Sequence, residues 1–160
     1  MTEEETFQKL SALCARGEHC QWEMREKMLR WQLPASVADA VVGRLVAGRY
    51  VDDGRYARAF VADKVRYDRW GRRKIEQTLR RKHIADSTVS EALSAVSDSD
   101  YAAVLAPLLR QKSRSIKASS DYERRQKLVR FALGRGYDYD VIRQCIDIDA
   151  DYDDRTADDC

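Results

Sequence analysis

Glycine and proline are scarce, at 7 and 2 of 160 residues, so little in this chain interrupts a helix. No apolar run approaches the roughly 20 residues of a membrane span, which excludes a helical membrane anchor within the sequence. The opening Met1-Thr2-Glu3-Glu4-Glu5-Thr6 is acidic and lacks the basic start and apolar core of a secretory signal, so the expectation is a cytoplasmic protein. Two histidines, His19 and His83, and four cysteines, Cys14, Cys20, Cys145 and Cys160, contain no CxxC pair and match no zinc spacing. The thiols read as buried or idle, and His19 beside Cys20 as a helix entrance rather than a reactive pair. No HExxH, GxSxG or GxGxxG occurs. Gly43 and Gly48 have phosphate-loop spacing, but Arg49 and Tyr50 stand where Lys and Ser or Thr would hold phosphate and magnesium. These absences leave no support for an enzyme, a metal or a cofactor.

What is present is a repeat. Ile75, Leu79, Ile84, Val89 and Leu93 recur at the same internal spacing as Leu128, Ala132, Tyr137, Ile142 and Ile146, and earlier as Met24, Met28, Leu33, Ala38 and Val42, at offsets of 53 and 51 residues. Each set reads as a helix with a buried pair at i and i+4, a short turn bearing one apolar plug, and a second helix with another such pair. With 44% hydrophobic residues a continuous core is within reach. The pattern predicts three units, 1–50, 51–98 and 99–148, and an acidic flexible tail at 149–160.

Along the chain, Phe7, Leu10, Leu13 and Cys14 predict a first helix, and Trp22 to Trp31 a second. Pro34 suits the first turn of a third, with Val37, Val41, Val42, Leu45 and Val46 on its apolar face. Asp52 and Asp53 read as a structural turn that caps the helix bearing Tyr56, Phe60, Val61 and Val65, and Asp86 with Ser87 as a cap for the helix of Val89 and Leu93. Ser97-Asp98-Ser99-Asp100 is a unit boundary. Pro107, amid Val104, Leu105, Leu108 and Leu109, is expected to kink its helix or displace its start. Gln111 to Asp121 reads as a mobile loop.

Charge is uneven. Residues 147–160 hold seven Asp against Arg155, leaving 28 basic and 20 acidic residues in 1–146, a body of +8. The Asp147-Ile148-Asp149-Ala150-Asp151 alternation begins like a calcium loop but has Tyr152 and Asp158 where Gly and Glu are needed, so it reads as a solvated end. Basic residues concentrate at Lys64, Arg66, Arg69, Arg72, Arg73, Lys74, Arg80, Arg81 and Lys82, with Tyr67 and Trp70 among them. On a helix, Arg73, Gln77 and Arg80 lie opposite Ile75 and Leu79, so burial of that pair turns an arginine stripe outward. Arginine forks bind phosphate or carboxylate, and an adjacent aromatic can stack on a base or anchor a protein. From charge and periodicity, Lys64, Arg66, Arg69, Trp70, Arg72, Arg73, Lys74, Arg80 and Arg81 are the candidate interaction residues.

Four pieces in order carry a resemblance covering roughly residues 7–146. They are Ala15-Arg16-Gly17-Glu18-His19-Cys20 with Glu23-Met24 and Lys27-Met28; Tyr50-Val51-Asp52-Asp53-Gly54-Arg55-Tyr56-Ala57-Arg58-Ala59-Phe60; Gly71-Arg72-Arg73-Lys74-Ile75; and Lys127-Leu128-Val129-Arg130-Phe131-Ala132-Leu133-Gly134-Arg135-Gly136-Tyr137. Together they resemble the RecX family of bacterial recombinase regulators, departing from it at Cys20, where Ser is usual, and at Met24 and Met28, where Leu is usual. The resemblance implies an all-α fold of three tandem three-helix repeats in an elongated, curved molecule. It implies a monomer that binds within the groove of the RecA nucleoprotein filament, meets DNA there or weakly alone, and modulates, mostly inhibits, RecA ATPase, strand exchange and coprotease activity in DNA repair, homologous recombination and the SOS response. Two other readings stay open from the residues alone: a stand-alone basic helical nucleic-acid binder, and a helical scaffold for an acidic partner.

Overall fold

Thr2, Ser97 and Ser120 each accept an N–H from the residue three positions on, and each starts a helix where the apolar periodicity begins. The structure, a computed structural model, describes residues 1–147; the acidic tail at 149–160, Cys160 and most of the calcium-like alternation lie outside the described residues. Those residues form nine helices and no strand: α1 (Glu3–Cys14), α2 (Gln21–Arg30), α3 (Ala35–Ala47), α4 (Asp53–Arg66), α5 (Arg72–Arg81), α6 (Asp86–Ser94), α7 (Asp98–Ser115), α8 (Asp121–Gly134) and α9 (Tyr139–Cys145). The fold is a helical repeat.

Two compact units account for the packing. One comprises Met1–Ala62 with Thr78–Leu93, the other Asp63–Gln77 with the described residues from Ser94 onward. In the first, α1 and α2 pack on α3 around Leu10, Met24, Met28, Val41, Val42, Leu45 and Val51. In the second, α7 packs on α8 and α9 and buries Tyr101, Leu105, Leu109, Leu128, Ala132, Tyr137 and Ile142. Burying each leucine, isoleucine, valine or methionine among them contributes about 1.5–3 kcal/mol.

The repeat is reproduced at the level of single backbone atoms. The plugs Leu33, Ile84 and Tyr137 follow Gln32 (φ 59°), His83 (φ 57°) and Gly136 (φ 95°), all left-handed. Each plug donates its N–H to the carbonyl five residues back, Met28, Leu79 and Ala132, closing the helix in a Schellman turn. The apolar positions before and after the turn are then buried from both sides. Among the five positions of each set, Leu33, Ala38 and Ile146 are half-buried and the others fully buried.

Three local expectations are corrected, and one is narrowed. Pro34 sits at the N-cap of α3, one residue before the helix, where φ −60° and ψ 149° are extended. Ala85 rather than Asp86 or Ser87 takes the cap position of α6, since its carbonyl accepts the Val89 N–H; Asp86 lies in the first turn, where its charge suits the helix dipole. Pro107, for which a kink or a displaced start was expected, does not displace the start of α7. Ser97 and Asp100 form a reciprocal capping box at the start, and the helix continues past Pro107, which is exposed together with Ala103, whose carbonyl loses its donor. The loop expected over Gln111 to Asp121 shrinks to 116–120, because α7 runs to Ser115. That short connection is fastened by Arg124, which donates to the carbonyls of Ser113 and Ile116 at 2.5 and 3.0 Å, and by Lys127, which donates to that of Lys117 at 2.7 Å.

Candidate protein and nucleic-acid interface

The basic stretch begins on the last turn of α4 and continues through a connection into α5. Tyr67 and Trp70 donate their N–H groups back to Asp63 and Lys64, at 2.8 and 2.9 Å, and Arg69 between them is left-handed at φ 55°. This wraps the connection so that Trp70 meets two cations: the Lys64 and Lys74 ammonium groups stand 4.8 and 4.4 Å from its ring centroid. Lys64 also pairs with Asp68 at 3.1 Å. Arg66 lies 5.4 Å from the ring of Tyr67, which is 70% exposed.

A turn far along the chain supports this connection. The Arg135 guanidinium donates to the carbonyls of Asp68 and Arg69, and the Tyr137 hydroxyl donates to that of Arg69 at 2.9 Å. In return Gly71 and Arg73 donate their N–H groups to the carbonyls of Arg135 and Gly136, at 2.8 and 3.0 Å. Both glycines are required at this crossing. A Cβ on Gly71 would strike the Tyr137 nitrogen and the Gly136 carbonyl, and one on Gly136 would sit 2.5 Å from the Lys74 Cβ. Two donors at the start of α5, which a helix cannot satisfy internally, are thus met by backbone carbonyls.

The nine candidate residues fall into distinct environments. Lys64, Trp70 and Lys74 come together. Arg72 is occupied: it pairs with Asp98 at 2.5 Å and Asp138 at 3.6 Å and lies 5.4 Å from the Tyr101 ring, which itself meets Tyr137 edge-on. Arg66, Arg69 and Arg73 are exposed and form no ion pair among the described residues. On α5, Ile75 and Leu79 are fully buried, whereas Arg73, Gln77, Arg80 and Arg81 are exposed, with Arg80 3.7 Å from Asp86. Arg80 and Arg81 belong to the compact unit that includes Met1–Ala62, and Lys64 to Lys74 to the other. Sequence reasoning missed Arg135 and Tyr137 as supports; the signal available was Gly136 next to the plug, marking a turn that another backbone can approach.

The Asp52 carboxylate accepts the Arg55 N–H at 3.0 Å, and this bond holds its pKa below the usual carboxylate range. Asp53 instead accepts the N–H of Gln21 at 2.9 Å, serving the first turn of α2. There Cys20 occupies the N-cap and donates its own N–H to Glu23 at 3.1 Å. Burial pushes the Cys20 thiol up to about 12, so it stays protonated and unreactive. Among the described residues no three His, Cys, Asp or Glu side chains group to hold a metal. The stretch with phosphate-loop spacing is the second half of α3 and its C-terminal turn, with Gly48 as the cap.

Residues 52–93 match the model of the second three-helix domain of RecX, and residues 99–146 that of the third. The regulatory protein RecX of Vibrio campbellii is 32% identical over 130 residues, covering 81% of this chain and 82% of that one. The regulatory protein RecX of Chlorobium limicola is 28% identical over 128 residues, covering 80% and 79%. A crystal structure of RecX from Lactobacillus salivarius superposes with a TM-score of 0.81 at 17% identity, covering 92% of this chain and 97% of that one. Another crystal structure of a regulatory protein RecX gives 0.83 at 19%, covering 89% and 72%. At those identities the two structures speak to the fold alone.

Proposed function

The chain belongs to the RecX family, and from that premise we propose that it regulates the RecA nucleoprotein filament by binding it, with the basic stretch from Lys64 to Arg81 as the contact surface. It lowers RecA ATP hydrolysis, strand exchange and coprotease activity without a reaction of its own, and it works in the cytoplasm where that filament forms. The observation that carries this reading is the connection between α4 and α5, where exposed Arg66, Arg69 and Arg73 project from a backbone fastened by Arg135, Gly136 and Tyr137. Cations presented from a fixed backbone lose less entropy on meeting carboxylate or phosphate than cations on a loose loop. Three tandem units with bounds 1–50, 51–98 and 99–148 would let one chain touch neighbouring protomers of a filament, and preference for one filament state suffices for regulation.

The test is RecA ATP hydrolysis on single-stranded DNA, with the host's own RecA and this protein titrated in. The double substitution Arg73→Glu with Arg80→Glu is expected to weaken inhibition while the helical circular dichroism stays unchanged. Undiminished potency would remove the stripe from the contact surface.

The same three exposed arginines favour a second reading, in which the protein binds nucleic acid by itself. Affinity for bare DNA would then be high and fall by roughly 0.9 log units per log unit of salt for each phosphate neutralised.

A further inference from the structure

A second cationic site lies wholly within the first compact unit, on α1 and α2, and shares no residue with the stripe. Lys9, Arg16 and Lys27 surround a cavity of about 340 Å³ whose floor and walls are Leu10, Leu13 and Trp31. The three cations come from α1, the turn after it and α2. None of them pairs with a carboxylate among the described residues. Elsewhere in this unit the arginines facing other elements have such partners: Arg25 meets Asp39 at 2.7 Å, Arg44 meets Glu4 at 2.8 Å, and Arg55 meets Glu18 at 2.6 Å. Like charges converging on an apolar hollow with no counter-charge repel one another, and a ligand carboxylate would relieve that repulsion.

We propose that this groove binds an acidic peptide segment of a partner protein, which seats one large apolar side chain between Leu13 and Trp31 and sets its carboxylates against Lys9, Arg16 and Lys27. The apolar lining favours a peptide over a nucleic acid. A phosphate backbone would satisfy the cations but leave Leu13 and Trp31 uncovered. A base would need the open face of an aromatic ring, and the Lys9 ammonium already stands 4.8 Å over the ring of Trp31. A helical or extended peptide with one apolar residue flanked by acids satisfies both requirements, in the manner of a helix laid into a groove. The inference stands apart from the regulatory reading, because a chain that fails to inhibit RecA would still carry this groove.

The experiment is fluorescence anisotropy on the full chain with a labelled short peptide in which a single central leucine is flanked on both sides by glutamates. Replacing that leucine by serine, or the glutamates by glutamines, is expected to weaken binding. Lys9→Ala with Lys27→Ala is expected to weaken it about tenfold or more, since each removes a charge-assisted contact. Arg16→Gln alters only an exposed turn residue and is expected to weaken binding about threefold, so the test does not depend on a single variant staying folded. Trp31→Leu, checked by circular dichroism, is expected to reduce the preference for leucine over serine. At a salt concentration that screens long-range charge, oligothymidylate binding is expected to be the same for parent and variants. Failure of the peptide to bind, or equal binding by parent and variants, overturns the proposal. Loss of oligothymidylate binding in the Lys9 and Lys27 variant, with peptide binding retained, overturns it in favour of a phosphate site.

Discussion

Gln32, His83 and Gly136 occupy one backbone position in three copies of a turn, yet only the last is glycine. A side chain held left-handed costs about 1–2 kcal/mol, partly returned because it restricts the unfolded chain. Gln32→Gly, at an exposed residue, is therefore expected to raise stability by about 0.5–1 kcal/mol in urea unfolding. Gly136→Ala has the opposite sign and greater size, about 3 kcal/mol or more, because its Cβ meets Lys74 as well as the strained φ. The plugs and their spacing were legible in the sequence; the left-handed residues before Leu33 and Ile84 were not, since glutamine and histidine give no sign of that conformation. Arg72 and Arg73 were likewise indistinguishable as letters. Arg72→Ala is expected to cost about 1 kcal/mol through the loss of two half-exposed ion pairs and the Tyr101 ring contact, whereas Arg73→Ala is expected to stay within about 0.5 kcal/mol.

At the scale of elements, apolar periodicity located the helices but not their polar ends. It ceases at Leu109, and the polar run from Gln111 read as loop, although α7 continues for another turn and a half to Ser115. What ends the helix is the grip of α8 on the following connection, a tertiary effect invisible to local composition. Glu123 completes that grip by accepting from the hydroxyl and the N–H of Ser119, and with help from Lys127 its carboxyl falls from 4.5 to about 2. A carboxyl depressed in the folded state stabilises the fold above its unfolded pKa, and that stabilisation fades as pH falls toward the folded value. The urea midpoint of Glu123→Gln is thus expected to lie below the parent's at pH 6 and to converge on it between pH 4.5 and 2.

For the whole molecule, composition indicated the fold class and the repeat gave its period, because both depend on burial that every copy must achieve. The candidate surface was only partly legible: charge density marked a basic stretch, but which cations are committed to internal partners depends on segments more than sixty residues apart in sequence, such as Arg135 with Asp68. Long-range charge belongs to this scale too. Truncation after Ile146 removes seven Asp and Arg155 and leaves a net charge of +8 instead of +2. Titration of the truncated chain with oligothymidylate is expected to show tighter binding at low salt, with the gain disappearing as salt rises.

The crossing of Gly71 and Gly136 also bears on the order in which the protein is made. Two donors at the start of α5, the N–H groups of Gly71 and Arg73, are satisfied by carbonyls of Arg135 and Gly136, more than sixty residues downstream. While the ribosome is still short of that point, the arginines on either side of Trp70 have been synthesised but lack their backbone anchor. The connection between α4 and α5 therefore takes its final form only once residues 135–137 are free to fold back onto it, and a chain that ends short of them carries the charges without that anchor.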